Sequence, residues 1–338
     1  ALTESTNRYE LANFSEYNDI FLLHNSSGKL NGVKESIFME NIKDYAARWR
    51  WNMVNDFRPQ SIEYSGIKCY PTANYVNYYG MQNGYPINDM TKADAESGYD
   101  PTHPWKNRDP RFYKTIMFDG VKWKNTGGAG GTAELFTGGR ESEEVNEKKG
   151  CFTAYMNSKL CPQLMNTVDG YKENNIMILS LMRLADVYLM YAEATAVGYN
   201  GPKGKAATYS LTAEEALNKI RERAGVAPVL EKFLGSTADF LSELRRERAV
   251  ELSFEGFRFT DLRRWMLLTQ YPYTLKTKIE FDRANPDDYN YDAPEENAIK
   301  NLREIVLLER KYTDRHYWYP LPKKDVSMYE GFYQNPGW

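Results

Sequence analysis

The second half of the chain has the residue pattern of helices. Between Asn175 and Val197 nearly every residue is apolar. The polar residues that interrupt this run, at intervals of three, three and seven, are Ser180, Arg183, Asp186 and Glu193. Such intervals place side chains on one face of an α-helix. The pattern therefore predicts a buried helix over 175–197 with one narrow polar stripe.

A second helix is bounded by local signals. Thr212, followed three residues later by Glu215, matches a capping box, in which the two residues cap each other's backbone. Gly225 and Pro228 are stop signals at the other end. We expect a helix from just after Thr212 to Gly225.

A third helix is predicted from Ser236 or Thr237 to Gly256, because apolar residues recur there at helical spacing. Three helices with short connections favour antiparallel packing of the tetratricopeptide type. One such pair cannot bury its faces alone, and no second copy is found at the period of about 34 residues. The partner helices are therefore either irregular or outside this chain.

The chain before residue 175 is rich in Tyr, Asn and Gly and holds only short apolar runs. This composition predicts irregular structure with short strands. The Gly-rich segment 120–150 is expected to form a mobile surface loop, and the polar, acidic segment 285–297 a second loop.

Composition and charge exclude some classes of function. The 338 residues suffice for one large domain or two smaller ones, and 43 basic against 46 acidic residues give a net charge of −3. The protein therefore has no excess of positive charge with which to bind a phosphate backbone, and we expect no nucleic acid partner. No apolar stretch reaches the roughly 18 residues of a membrane span. Aromatic residues reach 14% at a mean hydropathy of −0.67, so some rings must face water or a ligand.

No catalytic motif stands out. The histidines are isolated from one another and from any cysteine, and neither H-E-x-x-H nor G-x-S-x-G is present. The glycine cluster at 127–131 is better explained as a flexible loop than as a dinucleotide-binding turn, because no helix pattern follows it. Acidic residues are too numerous for a hydrolytic pair to be singled out. The histidines are His24, His103 and His316.

Metal and disulfide chemistry has little support. Cys69, Cys151 and Cys161 form no C-x-x-C pair, and a bridge between the last two stays open. We expect no cofactor, with calcium at 288–292 as the alternative, because this segment matches the first three ligand positions of a calcium loop. The glycine and terminal glutamate of such a loop are missing here. The residues that match are Asp288, Asn290 and Asp292.

Segment 245–264 is dense in charges of both signs. Alternating charges at helical spacing are typical of a structural ion-pair network. We expect such a network here, with an anion-binding site as the alternative.

Three segments have distinctive sequences. They are 181–194, 216–225 and 246–265, which read LMRLADVYLMYAEA, ALNKIRERAG and RERAVELSFEGFRFTDLRRW. In this order they resemble the SusD/RagB family. The resemblance extends over almost the whole chain through shorter segments at 34–38, 71–72, 107–113, 319–322 and 334–338.

The resemblance implies a mainly α, SusD-like fold with tetratricopeptide-type helix pairs and a loop-rich region containing short strands. It implies one partial SusD-like domain over 1–338. The parts are the end of an N-terminal helical region, a loop-rich ligand-binding region, and a C-terminal helical region with a closing tail, at 1–34, 35–174 and 175–338. Family members are typically longer at the N-terminus, with a signal peptide, a lipidated cysteine and several helices. We therefore expect those helices to be absent here and part of the helical core to lack its partner.

The resemblance also implies a function. Family members are lipoproteins on the outer face of the outer membrane that cap a SusC-like, TonB-dependent transporter. They hold oligosaccharides, or sometimes peptides, for import and do not catalyse a reaction. A sugar offers an apolar face that stacks on aromatic rings and a rim of hydroxyls that needs polar partners.

In the family, ligand residues lie in loops after the segment that corresponds to 35–38. Here 45–79 holds nine aromatic residues, and we expect the ligand site there. The predicted stacking residues are Trp49, Trp51 and Tyr64, and their polar partners are Arg48, Arg58 and Asn52. Tyr99 and Trp105, before the 107–113 segment, are further candidates. Alternating Trp49 and Trp51 could equally form one face of a buried strand.

Two other functions stay open. A glycoside hydrolase would share the aromatic cleft but needs two carboxylates about 5 to 10 Å apart within it. A helical-repeat scaffold that binds peptides would place its ligand on a concave helix face and bury the aromatic region as core.

Overall fold

A computed structural model describes residues 8–23, 33–39, 70–124, 131–145, 150–160, 176–177 and 180–338. The described α-helices are α1 (Ala73–Val76), α2 (Pro110–Thr115), α3 (Leu184–Gly198), α4 (Ala213–Ala224), α5 (Thr237–Glu251), α6 (Phe257–Arg264) and α7 (Lys323–Val326). The described strands are β1 (Leu22–Leu23), β2 (Ser36–Met39), β3 (Ile116–Met117), β4 (Met156–Asn157), β5 (Ile176–Met177), β6 (Ser180–Arg183), β7 (Leu275–Arg283) and β8 (Ile299–Glu309). Short 3-10 helices cover Phe14–Phe21, Glu231–Phe233, Pro286–Asp288, Pro294–Glu296 and Asp314–Tyr317.

Helices α3, α4 and α5 share one apolar core. Small residues of α3 allow close packing against larger side chains of the other two helices. The prediction for α4 is confirmed: the Thr212 side chain accepts the Glu215 N–H, Glu215 returns a hydrogen bond, and Gly225 closes the helix in the left-handed conformation. Core residues include Ala185, Leu189, Ala192, Leu217, Ile220, Phe240 and Leu244.

The helix predicted over 175–197 begins later than expected. Among the described residues, β6 precedes it and pairs antiparallel with β2, from Ser36 opposite Arg183 to Met39 opposite Ser180. Ser180 and Arg183 are buried. The sequence pattern predicted a helix at this strand because hydrophobicity alone does not distinguish a short buried strand from the start of a helix.

The third predicted helix also ends early. Helix α5 stops at Glu251, and a turn separates it from α6. Within that turn Phe254 (φ 61°) and Gly256 (φ 89°) adopt left-handed conformations. A helix cannot continue through such residues. The predicted single helix to Gly256 is therefore two helices with a sharp corner.

The C-terminal region contains a long hairpin that the sequence patterns did not reveal. Strands β7 and β8 pair antiparallel from Leu275 opposite Glu309 to Arg283 opposite Ile299. Residues Thr277, Ile279 and Phe281 of β7 are buried at every second position. The predicted loop 285–297 is confirmed as the connection between the two strands.

The described parts of the Gly-rich segment 120–150 do not form a mobile surface loop. Ala133 and Leu135 are buried in a second core, and Gly131 accepts the backbone N–H of Trp123. Large rings elsewhere in that core, such as Phe118, provide the apolar surface that this segment covers. Residues 125–130 and 146–149 of the predicted loop lie outside the described residues.

Several large apolar side chains face solvent. They include Val197, which is 64% exposed at the end of α3, Val306 of β8 and Trp318 beyond it. The expectation that part of the helical core lacks a partner stays a prediction.

Among the described residues, no helix combines the length and apolar character of a membrane span.

Candidate functional site

Most of the predicted ligand residues cannot be located. Arg48, Trp49, Trp51, Asn52, Arg58 and Tyr64 all lie outside the described residues. Their predicted roles stay predictions.

Tyr99 and Trp105 are core residues. The Trp105 side chain is 0% exposed, packs 5.0 Å from the Phe118 ring, and donates its indole N–H to the Tyr155 hydroxyl at 3.3 Å. Tyr99 is 3% exposed and donates its hydroxyl to the Met90 carbonyl at 2.8 Å. Stacking on a sugar needs an open ring face, which neither residue has. The prediction that these two residues contact a ligand is therefore wrong.

An open cleft of about 470 Å³ lies next to the described end of the aromatic-rich segment 45–79. We call it the aromatic cleft. Its volume is within the range of small-ligand sites, about 300–1,000 Å³. Its lining comprises Tyr70, Pro71, Thr72, Tyr75, Phe254, Gly256, Arg258, Phe259, Lys276 and Arg310.

Asn74 fixes one side of the cleft by joining α1 to β7. Its backbone N–H donates to the Thr277 hydroxyl at 2.8 Å, and its side-chain amide donates to the Leu275 carbonyl at 2.8 Å. Lys276 lies between these two partners. Tyr75, the next residue of α1, donates its hydroxyl to the Ala249 carbonyl at 2.6 Å. Lys276 and Tyr75 are thus held on adjoining walls.

The turn between α5 and α6 forms the opposite side. Phe254 takes a φ of 61°, which is unfavourable for a bulky residue and is retained only where surrounding structure enforces it. The next residue, Glu255, supplies that constraint: its carboxylate binds Lys159 at 2.6 Å and Arg183 at 2.7 Å. The Phe254 ring packs 6.0 Å from the Tyr75 ring.

The predicted ion-pair network is confirmed, and it is buried. Arg183 is at its centre, with nitrogen atoms 2.6 Å from Glu35, 2.7 Å from Glu251 and 2.7 Å from Glu255. Other buried pairs join Arg111 to Asp109, Glu247 and Glu251, Arg221 to Glu243 and Glu247, Arg223 to Glu35 and Glu251, and Arg248 to Asp186 and Asp261. Every carboxylate here has a cationic partner, so the network is structural and anchors the turn beside the cleft.

A second cleft of about 340 Å³ adjoins the first and shares Arg258 with it. We call it the arginine cleft. The Arg258 guanidinium carbon lies 4.8 Å from the centre of the Tyr78 ring and 5.5 Å from that of Tyr273. The other residues that line this cleft are Pro86, Asn88, Lys232, Phe233, Ser242, Glu243, Arg245 and Arg246.

The two clefts differ in charge compensation. In the arginine cleft, Glu243 binds Arg246 and also Arg221. The described lining of the aromatic cleft contains three basic residues, Arg258, Lys276 and Arg310, and no acidic residue. Burial, followed by the charges of Arg310 and Arg258, lowers the pKa of Lys276 to about 8.

Several other candidate reactive or metal-binding side chains are buried or hydrogen-bonded to nearby residues. Cys151 is a free, buried thiol whose pKa is raised to about 11 by burial. His103 and His316 hydrogen-bond to neighbouring residues in sequence, and His24 lies outside the described residues. In the possible calcium segment 288–292, the Asn290 side chain accepts two backbone N–H groups of its own loop. The described residues hold no group of three metal-binding side chains.

Sequence reasoning identified the neighbourhood of the aromatic cleft but missed most of its wall. Tyr70 and Tyr75 belong to the predicted segment 45–79. Arg258 had been assigned to the charged network, and Lys276 and Arg310 lie on a hairpin that was not predicted. No local pattern distinguishes Lys276 from Lys278 two residues later, and only the structure shows that Lys276 lies opposite Leu308.

Comparison with known proteins identifies the family. The family model described as SusD family matches residues 34–338. This chain belongs to the SusD family. The match spans α1 through α7, so it includes both clefts and the buried network of this SusD family member. No curated protein sequence matches the chain.

Solved SusD-like structures share the fold. A SusD-like protein from Bacteroides fragilis NCTC 9343 is 22% identical with a TM-score of 0.71, over 98% of this chain and 59% of that one. A SusD-like carbohydrate binding protein from the same organism is 21% identical with a TM-score of 0.64, over 94% of this chain and 57% of that one. This chain therefore spans less than three fifths of the length of either structure. The mainly α, SusD-like fold prediction is confirmed.

Proposed function

We propose that this protein binds oligosaccharides at the bacterial cell surface and does not cleave them. Membership of the SusD family carries the proposal, because a structural neighbour with the same fold is described as carbohydrate binding. The aromatic cleft supplies suitable chemistry, since open rings can stack on the apolar face of a sugar. Phe259, for example, is 37% exposed on its wall.

The charge of the cleft supports binding over hydrolysis. Glycoside hydrolysis uses two carboxylates on either side of the scissile bond. None of the described residues that line the aromatic cleft is acidic, and the neighbouring Glu243 is engaged by two arginines. A carboxylate held in two ion pairs is a poor proton donor at neutral pH.

The proposed partner and location rest on the family resemblance. We propose that the protein acts on the outer face of the outer membrane, anchored there by lipid, and delivers its ligand to a SusC-like, TonB-dependent transporter. A test of this part is co-purification with such a transporter from outer membranes, by a tag on the SusD protein. Recovery from the soluble fraction alone would contradict it.

Binding and catalysis can be tested together. The purified protein is run through affinity gels that contain a panel of neutral and acidic polysaccharides, and the same panel is assayed for release of reducing sugar. We expect retardation without release. Phe259→Ala should weaken retardation, whereas Tyr333→Ala, which removes an 82% exposed ring outside both clefts, should not. Trp49→Ala and Trp51→Ala test the two predicted stacking residues.

Three other outcomes are informative. Release of sugar would favour a hydrolase. If no polysaccharide retards the protein, the proposed function is contradicted and a peptide ligand is favoured. Retardation that Phe259→Ala leaves unchanged would keep glycan binding but move it away from the aromatic cleft.

A further inference from the structure

The aromatic cleft concentrates positive charge from three separate elements. Arg258 comes from α6, Lys276 from β7, and Arg310 directly follows β8. The backbone N–H of Arg310 donates to the Thr274 carbonyl at 2.9 Å, which holds it beside the start of β7. Cations from distant parts of the sequence therefore converge on one open space.

The basic residues of the aromatic cleft lack the carboxylate partners that the arginines of the buried network have. Each buried arginine of the network binds at least one carboxylate, as Arg183 does with three. In contrast, Lys276 and Arg258, which are both partly buried, form no salt bridge with any of the described residues. Arg310 is exposed, and its guanidinium donates to the Tyr312 hydroxyl at 3.2 Å. The buried Nη1 of Arg258 also has no hydrogen-bond acceptor among the described residues. An unpaired buried donor destabilises the folded protein, and more so when it is charged.

The pKa of Lys276 supports the same interpretation. Burial and the like charges of Arg310 and Arg258 make protonation unfavourable and lower this pKa to about 8. At pH 7 the ammonium is still mostly protonated. A ligand with a negative charge would relieve the repulsion and could accept the hydrogen bond that Arg258 lacks.

The rest of the wall suits a ring-shaped ligand. Tyr75 and Phe254 pack together with ring centres 6.0 Å apart, and Phe259 presents a partly open ring. Aromatic faces accept the C–H face of a sugar, while a guanidinium can bind two oxygen atoms of one carboxylate or sulfate. Rings and cations in one cleft therefore match a sugar that carries an acidic group.

We propose that the aromatic cleft binds the anionic group of an acidic oligosaccharide, either a uronic acid carboxylate or a sulfate ester, with Lys276, Arg258 and Arg310. The sugar part of this ligand rests on the proposed function. The net charge of −3 means that the protein as a whole does not attract polyanions, so recognition is local to the cleft.

The test compares ligands of equal length by calorimetry at pH 7: oligogalacturonate, a sulfated carrageenan oligosaccharide, a neutral galacto-oligosaccharide and a poly-glutamate peptide. Lys276→Met and Arg310→Gln each remove one charge from the cleft. Lys92→Gln is the control, because this lysine is outside both clefts and pairs with Asp89. We expect at least one acidic sugar to bind more tightly than the neutral one.

Each cleft variant should weaken that binding by about tenfold or more, since a hydrogen bond to a charged group is worth about 1.5–3 kcal/mol. The control should bind as the original protein does. Added salt should weaken binding of the acidic sugar to the original protein more than to Lys276→Met. Which of the two acidic sugars binds distinguishes carboxylate from sulfate recognition.

Opposite results separate the two proposals. Equal binding of neutral and acidic sugars, unchanged in both variants, would overturn the acidic-ligand proposal and leave glycan binding intact. Binding of poly-glutamate without any sugar would overturn both and indicate a peptide ligand. No binding of any sugar by the folded protein would also overturn both.

Discussion

At the scale of single residues, Lys276 illustrates a conflict between stability and the ligand binding proposed for it. Its pKa lies at about 8, well below the usual 10.5, because burial and like charges disfavour the ammonium. The unfolded chain therefore binds this proton more tightly than the folded protein between about pH 8 and 10.5. Lys276 consequently opposes folding at low pH, and its unfavourable contribution fades as pH rises through that window.

We predict that Lys276→Met stabilises the protein at pH 7, by about 0.5–1 kcal/mol after allowance for solvent screening. Urea unfolding monitored by circular dichroism measures this change. Lys278→Met is a matched control two residues away, because Lys278 binds Glu280 at 2.8 Å and its pKa is raised by that contact. The control should not be stabilised. Equal stabilisation of both variants would mean that general hydrophobicity causes the effect.

The same titration predicts the pH dependence of ligand binding. The groups that face Lys276 are Arg310, Arg258 and Tyr75, and burial raises the pKa of Tyr75 well above 10. Lys276 changes charge near pH 8. Burial also lowers the pKa of Lys159 to about 8, but this lysine binds Glu255 and is not among the residues that line the cleft. Affinity for an acidic oligosaccharide should therefore fall as pH rises from 7 to 9, as measured by calorimetry. Lys276→Met should bind weakly and without this pH dependence.

Arg183 has the opposite role at the residue scale. It is buried against three carboxylates that come from distant parts of the chain. We predict that Arg183→Met destabilises the protein by about 3–5 kcal/mol, because removal of one partner leaves buried charges uncompensated. Arg303→Gln breaks a mostly exposed pair with Glu280 and should cost less than about 1 kcal/mol in the same urea titration. Similar losses would contradict the central role of Arg183.

At the scale of elements, helix α5 combines two sequence patterns. Its apolar residues Phe240 and Leu244 face the helical core, while Glu243, Glu247 and Glu251 recur every fourth position and are buried. Residues four apart lie on one face of a helix. This acidic stripe meets arginines from other elements, which explains how a charge-rich sequence can form a central helix.

Helix α4 depends on its N-terminal cap. We predict that Thr212→Ala costs about 1 kcal/mol, because it removes the hydrogen bond to the Glu215 N–H and with it the capping box. Thermal unfolding by calorimetry measures the loss. Thr208→Ala, at an exposed position in the preceding loop, should stay within about 0.5 kcal/mol of the original protein. Equal effects would show that the cap does not contribute.

At the scale of the whole molecule, the buried network makes stability sensitive to acid. Burial raises the pKa of Glu243, but Arg246 and Arg221 outweigh it and lower the value to about 2. Arg223, Arg183 and further cations likewise outweigh burial at Glu251, whose pKa is well below its usual range. Such carboxylates stabilise the fold above about pH 4.5 and lose that effect as pH falls toward 2.

We predict that the free energy of unfolding decreases steadily from pH 5 to pH 2.5. Glu243→Gln should lower stability at pH 7 by about 3–5 kcal/mol, because Arg221 and Arg246 then lose a buried partner. It should also flatten the acid dependence. Glu222→Gln, whose side chain is 74% exposed, is the control and should change neither. Urea titrations at several pH values measure both quantities, and an unchanged slope in Glu243→Gln would contradict this assignment.

Short-range signals made several elements predictable. The cap at Thr212 and the left-handed Gly225 act within a few residues, so α4 was correctly bounded. The mixed charges of 245–264 indicated an ion-pair network, and the motif resemblance indicated the SusD fold; both are confirmed. Local backbone chemistry and motif order are properties of the sequence itself.

Tertiary structure alone decided which residues meet. Trp105 lies in the core because Phe118 and Phe281 surround it, although its sequence context favoured a surface loop. Arg258 and Lys276 share a cleft because the turn after α5 and the hairpin β7–β8 fold against α1. Burial and charge compensation depend on contacts between residues far apart in sequence, and no local pattern encodes them.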